Sequence, residues 1–177
     1  MDIIEYIDAS FDSHCDHTGH GGAIIKLNNS SSGVYFKSNK QKRVADSPME
    51  SELIALNEHY KMGIWISWIL EELGIQTKNS YVTIHQDNMA NIFCNTTDAC
   101  FQGKSKFINR KYFSTKQRID DGEIMLKYLN TKLMLADILT KSMPTQQFKN
   151  LRDIMMGYHD NNSSITVRGG NVGLSNS

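Results

Sequence analysis

Ile3-Ile4-Glu5-Tyr6-Ile7-Asp8 alternates as a strand, with Ile4, Tyr6 and Asp8 on one face, so an acid ends an otherwise apolar row. A polar loop over 11–22 follows and holds three of the six histidines. Strands are predicted over 22–27 and 33–37, joined by Asn28-Asn29-Ser30-Ser31-Ser32, a run of hairpin-turn residues. Three strands with such short connections imply an antiparallel meander.

The next element announces its own start. Ser47-Pro48-Met49-Glu50 supplies an N-cap serine, a proline at the first helical position and a glutamate three residues after the cap. Leu53, Leu56, Tyr60, Ile64, Trp68 and Leu73 continue a stripe at roughly helical spacing, which Gly74 ends. Gly63, inside this helix, points to close packing, since glycine there costs about 1 kcal/mol against alanine. Met62, Trp65 and Trp68 read as core or as packing against a neighbouring domain. Further along, the patterns predict a strand over 81–85, helices over 88–95 and 106–120, a turn at Asp121-Gly122 and a strand over 124–129. Helices over 132–141 and 145–156 complete the series, separated by Pro144. The order βββ-α-β-α-α-β-α-α implies an α/β layer with a mixed sheet. Residues 1–157 form one expected domain. The Asn/Ser/Gly-rich remainder, 158–177, has too little apolar surface to fold and is expected to be disordered.

Composition agrees with a single globular unit: 177 residues, 40% apolar and 21% charged. Nineteen Lys+Arg balance nineteen Asp+Glu, so there is no global bias toward nucleic acid or membrane. No apolar run approaches the ~18 residues of a membrane span. Asp2 and Glu5 exclude the basic start of a secretory signal. Three cysteines, Cys15, Cys94 and Cys100, lack zinc-type pairing and fit a reducing compartment. His14, Cys15, His17 and His20 lack the partner set that zinc requires and read as an ordinary loop.

Four acids stand out by position: Asp8 at the end of the first strand, Glu52 in the first turns of the capped helix, Asp87 at the end of the fourth strand, and Asp137 within Leu-Met-Leu-Ala-Asp-Ile-Leu-Thr. Each taken singly is an ordinary surface or capping carboxylate. Converging at one sheet edge, they would repel one another unless divalent cations lay between them. Glu50 and Glu52 are about 200° apart around a helix, so they cannot face the same site. Glu50 belongs to the cap, which leaves Glu52 for the cluster.

Tyr-Ile-Asp-Ala-Ser-Phe (6–11), Ser-Pro-Met-Glu-Ser-Glu-Leu-Ile-Ala-Leu (47–56), His-Gln-Asp-Asn (85–88) and Ala-Asp-Ile-Leu-Thr-Lys-Ser-Met-Pro (136–144) occur in this order. Together they resemble the ribonuclease H domain that closes the Pol polyprotein of Ty1/copia-type LTR retrotransposons, over roughly residues 3–157. The resemblance implies an RNase H-like fold: a five-stranded mixed sheet, three antiparallel strands then two parallel additions, flanked by helices. It implies a catalytic and metal-binding tetrad of Asp8, Glu52, Asp87 and Asp137, and cleavage of the RNA strand of RNA–DNA hybrids with two Mg²⁺ ions, for which Mn²⁺ can substitute. It implies a reverse transcriptase upstream in the same polyprotein, no membrane partner, and a cytoplasmic virus-like particle with access to the nucleus. The chain departs from the family in three places. Ser142 stands where proline is usual, Lys106-Phe107-Ile108-Asn109 replaces Lys-His-Ile-Asp and points to the Ty1-like branch, and 124–141 lacks the histidine that cellular and retroviral relatives carry before the last acid.

The neutral total hides segregated charge. Residues 101–118 hold six cations and no acid, 37–43 hold four and no acid, and together these stretches carry ten of the nineteen. Such stretches are the expected footprint of a phosphate-binding surface. Lys40, Lys42, Arg43, Lys104, Lys106, Arg110 and Lys111 are its candidate contacts. Asn88 and the polar groups of 8–12 are candidate readers of 2′-hydroxyls. Two rival functions share these residues. An integrase core would pair Asp87 with Glu123, but Glu123 opens a strand rather than lying on a helix, and Glu52 and Asp137 would go unexplained. The other rival is a catalytically impaired module that binds hybrid or packs on the polymerase.

Overall fold

A computed structural model describes residues 1–97 and 106–158. The meander is β1 (Ile4–Ser10), β2 (His20–Lys26) and β3 (Gly33–Lys40), all antiparallel. β4 (Val82–Gln86) lies parallel to β1, and β5 (Ile124–Tyr128) parallel to β4, giving the order β3-β2-β1-β4-β5. The expected fold class, a mixed sheet with three antiparallel strands and two parallel additions, is the one observed. β1 and β3 outrun their apolar patterns because Ser10 pairs with His20 and His20 with Lys40. Ladder bonds use backbone groups, which polar residues supply as well as apolar ones.

The central strand β1 is buried on both faces. Ile3, Ile7 and Ala9 join the core under α1 (Pro48–Glu72), while Ile4 and Tyr6 join Met134, Leu135, Ala136 and Leu151 on the opposite face. A third cluster of Leu53, Ile54, Ile108 and Tyr112 ties α1 to α3 (Lys106–Asp120). Gly63 fits the expectation of close packing: a Cβ there would lie 2.7 Å from Glu5 Oε2 and 2.9 Å from Val82 Cγ1.

At the start of α1, Ser47 Oγ accepts from Glu50 N–H (3.2 Å) as expected of the cap, but Glu50 Oε2 accepts from Asp46 N–H (2.9 Å), one residue ahead of the cap. The apolar stripe also departs from the sequence reading. Leu53, Leu56, Tyr60 and Ile64 are buried, yet Trp68 is 53% exposed and Leu70 takes the inward place. Each four-residue step advances about 40° beyond a full turn, so three steps from Leu56 carry Trp68 out of the interface. Met62 packs against the core, and Trp65 stays outside with Trp68.

The helix expected over 132–141 does not form as one piece. A 3₁₀ turn (Thr131–Leu133) and a single α-turn, α4 (Asp137–Thr140), flank an extended Met134. Met134, Leu135 and Ala136 are all buried in succession. The extended backbone at Met134 separates the two turns, and all three side chains join the cluster around Ile4, Tyr6 and Ile24. Beyond it, α5 (Thr145–Met155) is held by Lys26, whose buried ammonium donates to Ile154 O and Asn29 O, both at 2.9 Å.

Candidate active site

Tyr6 faces His85 across the parallel β1–β4 ladder, so two residues further on Asp8 and Asp87 come level at the same sheet edge. Asp8 is also paired with Gly22 across the antiparallel ladder. A Cβ on Gly22 would lie 2.7 Å from Thr140 Cγ2 and 2.9 Å from Leu139 Cβ, so only glycine lets α4 rest directly on β2. That contact brings Asp137 and Thr140 over Asp8. Oxygens of Asp8, Asp87 and Asp137 all lie within 4.8 Å of one another. Glu52 borders this group from α1: its Oε1 accepts from the N–H of Ala9 (3.4 Å), the residue next to Asp8, and its Oε2 is buried without a hydrogen-bond partner.

The electrostatics match the geometry. Burial pushes the Asp8 carboxyl up to about 7, Lys141 and the Thr140 hydroxyl pull it back, and Asp137 and Asp87 raise it further. Glu52 is raised well above the usual carboxylate range by burial, then by Asp8 and Asp87. Burial also raises Asp137, against the Lys141 ammonium. Thr140 Oγ1 donates to Asp8 Oδ2, and Lys141 Nζ lies 3.0 Å from Asp137 Oδ1 and 3.5 Å from Asp8 Oδ1. Burial opposes the ammonium, but Asp8, Asp137 and Asp87 outweigh it and hold its pKa above the usual lysine value. A convergent all-oxygen donor set in which Glu52 Oε2 and Asp137 Oδ1 are buried without a hydrogen-bond partner suits a hard divalent cation such as Mg²⁺. Thr140 and Lys141 were visible only as members of the 136–144 motif, three and four residues after Asp137, a spacing that returns both to its side of a turn.

The other candidate residues divide. Lys42, Arg43, Lys106 and Arg110 are exposed. The Arg43 guanidinium lies 4.4 Å above the Phe107 ring, so the two basic stretches meet there. Lys40 pairs with Asp16 at 2.6 Å. Lys111 is turned inward: it is buried, with Nζ 3.2 Å from Asn57 Oδ1 and 3.6 Å from Glu58 Oε1, because its position on α3 faces α1. It is therefore removed from the phosphate contacts. Asn88 Oδ1 caps α2 (Met89–Thr96) by accepting from Asn91 N–H, which leaves its amide as the group able to donate outward. Lys104 and, in the expected tail, residues 159–177 lie outside the described residues. His14 bonds to His20 (3.0 Å) and His17 to Asp12 (2.9 Å); among the described residues only the acidic cluster has metal-ligand geometry. Glu123 is engaged by Arg118 at 2.8 Å.

Among solved structures, RNase H1 of Halobacterium salinarum superimposes with a TM-score of 0.52 at 13% identity, over 79% of this chain and 95% of that one. LC11-RNase H1, solved in complex with an RNA/DNA hybrid, gives 0.51 at 13% identity, over 78% and 94%. The fold is that of ribonuclease H. In sequence, this ribonuclease H-fold domain is similar to retrotransposon Pol polyproteins. It is 29% identical over 132 residues to the Pol polyprotein of transposon TNT 1-94 from Nicotiana tabacum, covering 75% of the chain. It is 24% identical over 147 residues to the Ty1-JR1 Gag-Pol polyprotein of Saccharomyces cerevisiae, covering 83%. The chain spans only 10% and 8% of the length of these two relatives. No protein-family profile matches it.

Proposed function

We propose that this domain is an Mg²⁺-dependent endoribonuclease that cleaves the RNA strand of RNA–DNA hybrids during retrotransposon reverse transcription. The observation that carries the reading is the convergence of Asp8, Asp87 and Asp137 within 4.8 Å, bordered by Glu52, at the edge of a ribonuclease H sheet. Two divalent ions held by these four carboxylates, Mg²⁺ or in its place Mn²⁺, would supply Lewis acidity to make water nucleophilic and to steady the departing 3′ oxygen. The chain's own groups hold that site in shape. Thr140 fixes one oxygen of Asp8, Ala9 N–H fixes one of Glu52, and Gly22 admits the turn that carries Asp137. Lys42, Arg43, Lys106 and Arg110 bind the hybrid's phosphates, and the Asn88 amide donates to a 2′-hydroxyl. The hybrid-bound state of LC11-RNase H1 and the Pol relatives support this substrate. The polyprotein context supports a reverse transcriptase as the adjoining partner and a cytoplasmic particle, with nuclear access, as the setting.

The test is incubation of the purified chain with an end-labelled hybrid and Mg²⁺. The expected result is RNA-strand cleavage that Asp87→Asn abolishes while hybrid binding persists. Binding without cleavage in either Mg²⁺ or Mn²⁺ would replace this reading with that of an impaired binding module.

A further inference from the structure

Lys141 has no part in the chemistry above, yet its ammonium sits among the carboxylates. Nζ is 3.0 Å from Asp137 Oδ1 and 3.5 Å from Asp8 Oδ1, two of the three acids whose oxygens converge within 4.8 Å. The backbone places it there. Lys141 is the first residue past α4, its N–H bonded to Asp137 O at 3.1 Å, so the single turn that presents Asp137 also presents the cation. The two carboxylates are almost wholly buried, whereas the lysine side chain is 40% exposed, so its head can withdraw into water without disturbing the core.

We propose that Lys141 is a tethered counter-ion that occupies the acidic cluster in competition with a divalent cation, and so sets how tightly the cluster binds metal. Mg²⁺ takes its oxygen ligands at about 2.1 Å in a strict octahedron. An ammonium on the same two oxygens would stand within a few ångströms of that ion, where like charges repel strongly. The two cations therefore exclude each other: the lysine neutralises the acids before metal arrives and yields when it binds. The cost of displacing it weakens the apparent metal affinity. This rests on the metal-site reading above.

Calorimetric titration of Mg²⁺ alone into the full chain, without nucleic acid, tests it. Lys141→Met should bind Mg²⁺ about tenfold more tightly than the parent, because no tethered cation has to leave. Lys141→Arg, which keeps the charge, should stay within about twofold of the parent. Without metal the Met variant should melt below the parent, and saturating Mg²⁺ should close that gap. Lys141→Gln serves if the Met variant does not fold. Equal affinity in parent and neutral variants, or weaker binding in the latter, overturns the proposal; weaker binding would make the lysine a helper of the metal or a phosphate clamp. Asp87→Asn separates the two levels of argument. Binding that needs Asp87 but ignores Lys141 defeats only the lysine claim, whereas absence of Mg²⁺ binding in every variant defeats the metal site as well.

Discussion

β1 buries two carboxylates, Glu5 and Asp8, on opposite faces of the sheet, and the protein treats them differently. Glu5 lies under α1, fully buried, with neither oxygen hydrogen-bonded, in room that Gly63 leaves open. Asp8 lies at the sheet edge against Thr140, Lys141 and two further acids. Burial raises the pKa of both. A raised pKa therefore does not by itself mark a site: Glu5 is a lone acid enclosed in a core, where burial favours its neutral form, whereas Asp8 belongs to a convergent group suited to a cation. α1 repeats the contrast at its N-terminus, where Glu50 bonds backbone ahead of the helix and Glu52 borders the cluster.

The sharpest break between the two faces is Asp8→Asn. It should reduce hybrid cleavage on the order of 10³-fold, equivalent to about 4 kcal/mol of barrier. Asp8 also shapes the pH dependence of the metal-free protein. Its folded pKa of about 7 stands above the ordinary 3.8, so its contribution to stability is full below 3.8 and lost as pH rises through 7. Denaturant melts in EDTA should show that decline in the parent and a flatter profile in the Asn variant. Mg²⁺ should restore the parent's stability at neutral pH.

Glu5→Gln should leave cleavage unchanged. The folded pKa of Glu5 is raised by burial, so its contribution is full below the ordinary 4.5 and lost as pH rises through the folded value. The neutral isostere removes that loss, so at pH above the folded value the variant should be more stable than the parent. Unlike the effect at Asp8, this gain should be the same with and without Mg²⁺. A metal-dependent gain would mean that the two faces are coupled.

The smallest effect belongs to Glu50→Ala, which should cost about 1 kcal/mol through the loss of its bond to Asp46 N–H and leave turnover intact. Glu52→Gln should reduce turnover instead. Equal loss of turnover in both variants would show that the division of labour at this helix end is misassigned.

Elements with strong local signals were legible in sequence. The Ser47 cap and Pro48 mark the start of α1, and α3 runs over Lys106–Asp120, the range its pattern predicts. The four acids stood out by position, but each taken singly read as an ordinary carboxylate, and it was the ordered motifs around them that singled them out as a set. The helix expected over 132–141 was misread because Leu133, Met134, Leu135 and Ala136 are good helix formers, and propensity is silent about how many faces a segment must bury. Lys111 looked like one cation of a basic stretch. Its inward turn depends on Asn57 and Glu58 of α1, more than fifty residues away in sequence.

By itself, then, the sequence determined most of the strands and helices, the broken segment over 131–140 excepted, and which acids were available, since caps, periodicity and turn residues act over a few neighbours. Tertiary structure alone decided that Asp8 and Asp87 come level, that Gly22 admits α4, and that Lys141 reaches Asp8. Those contacts join residues far apart along the chain through strand register and close approach, and neither quantity is written in local pattern.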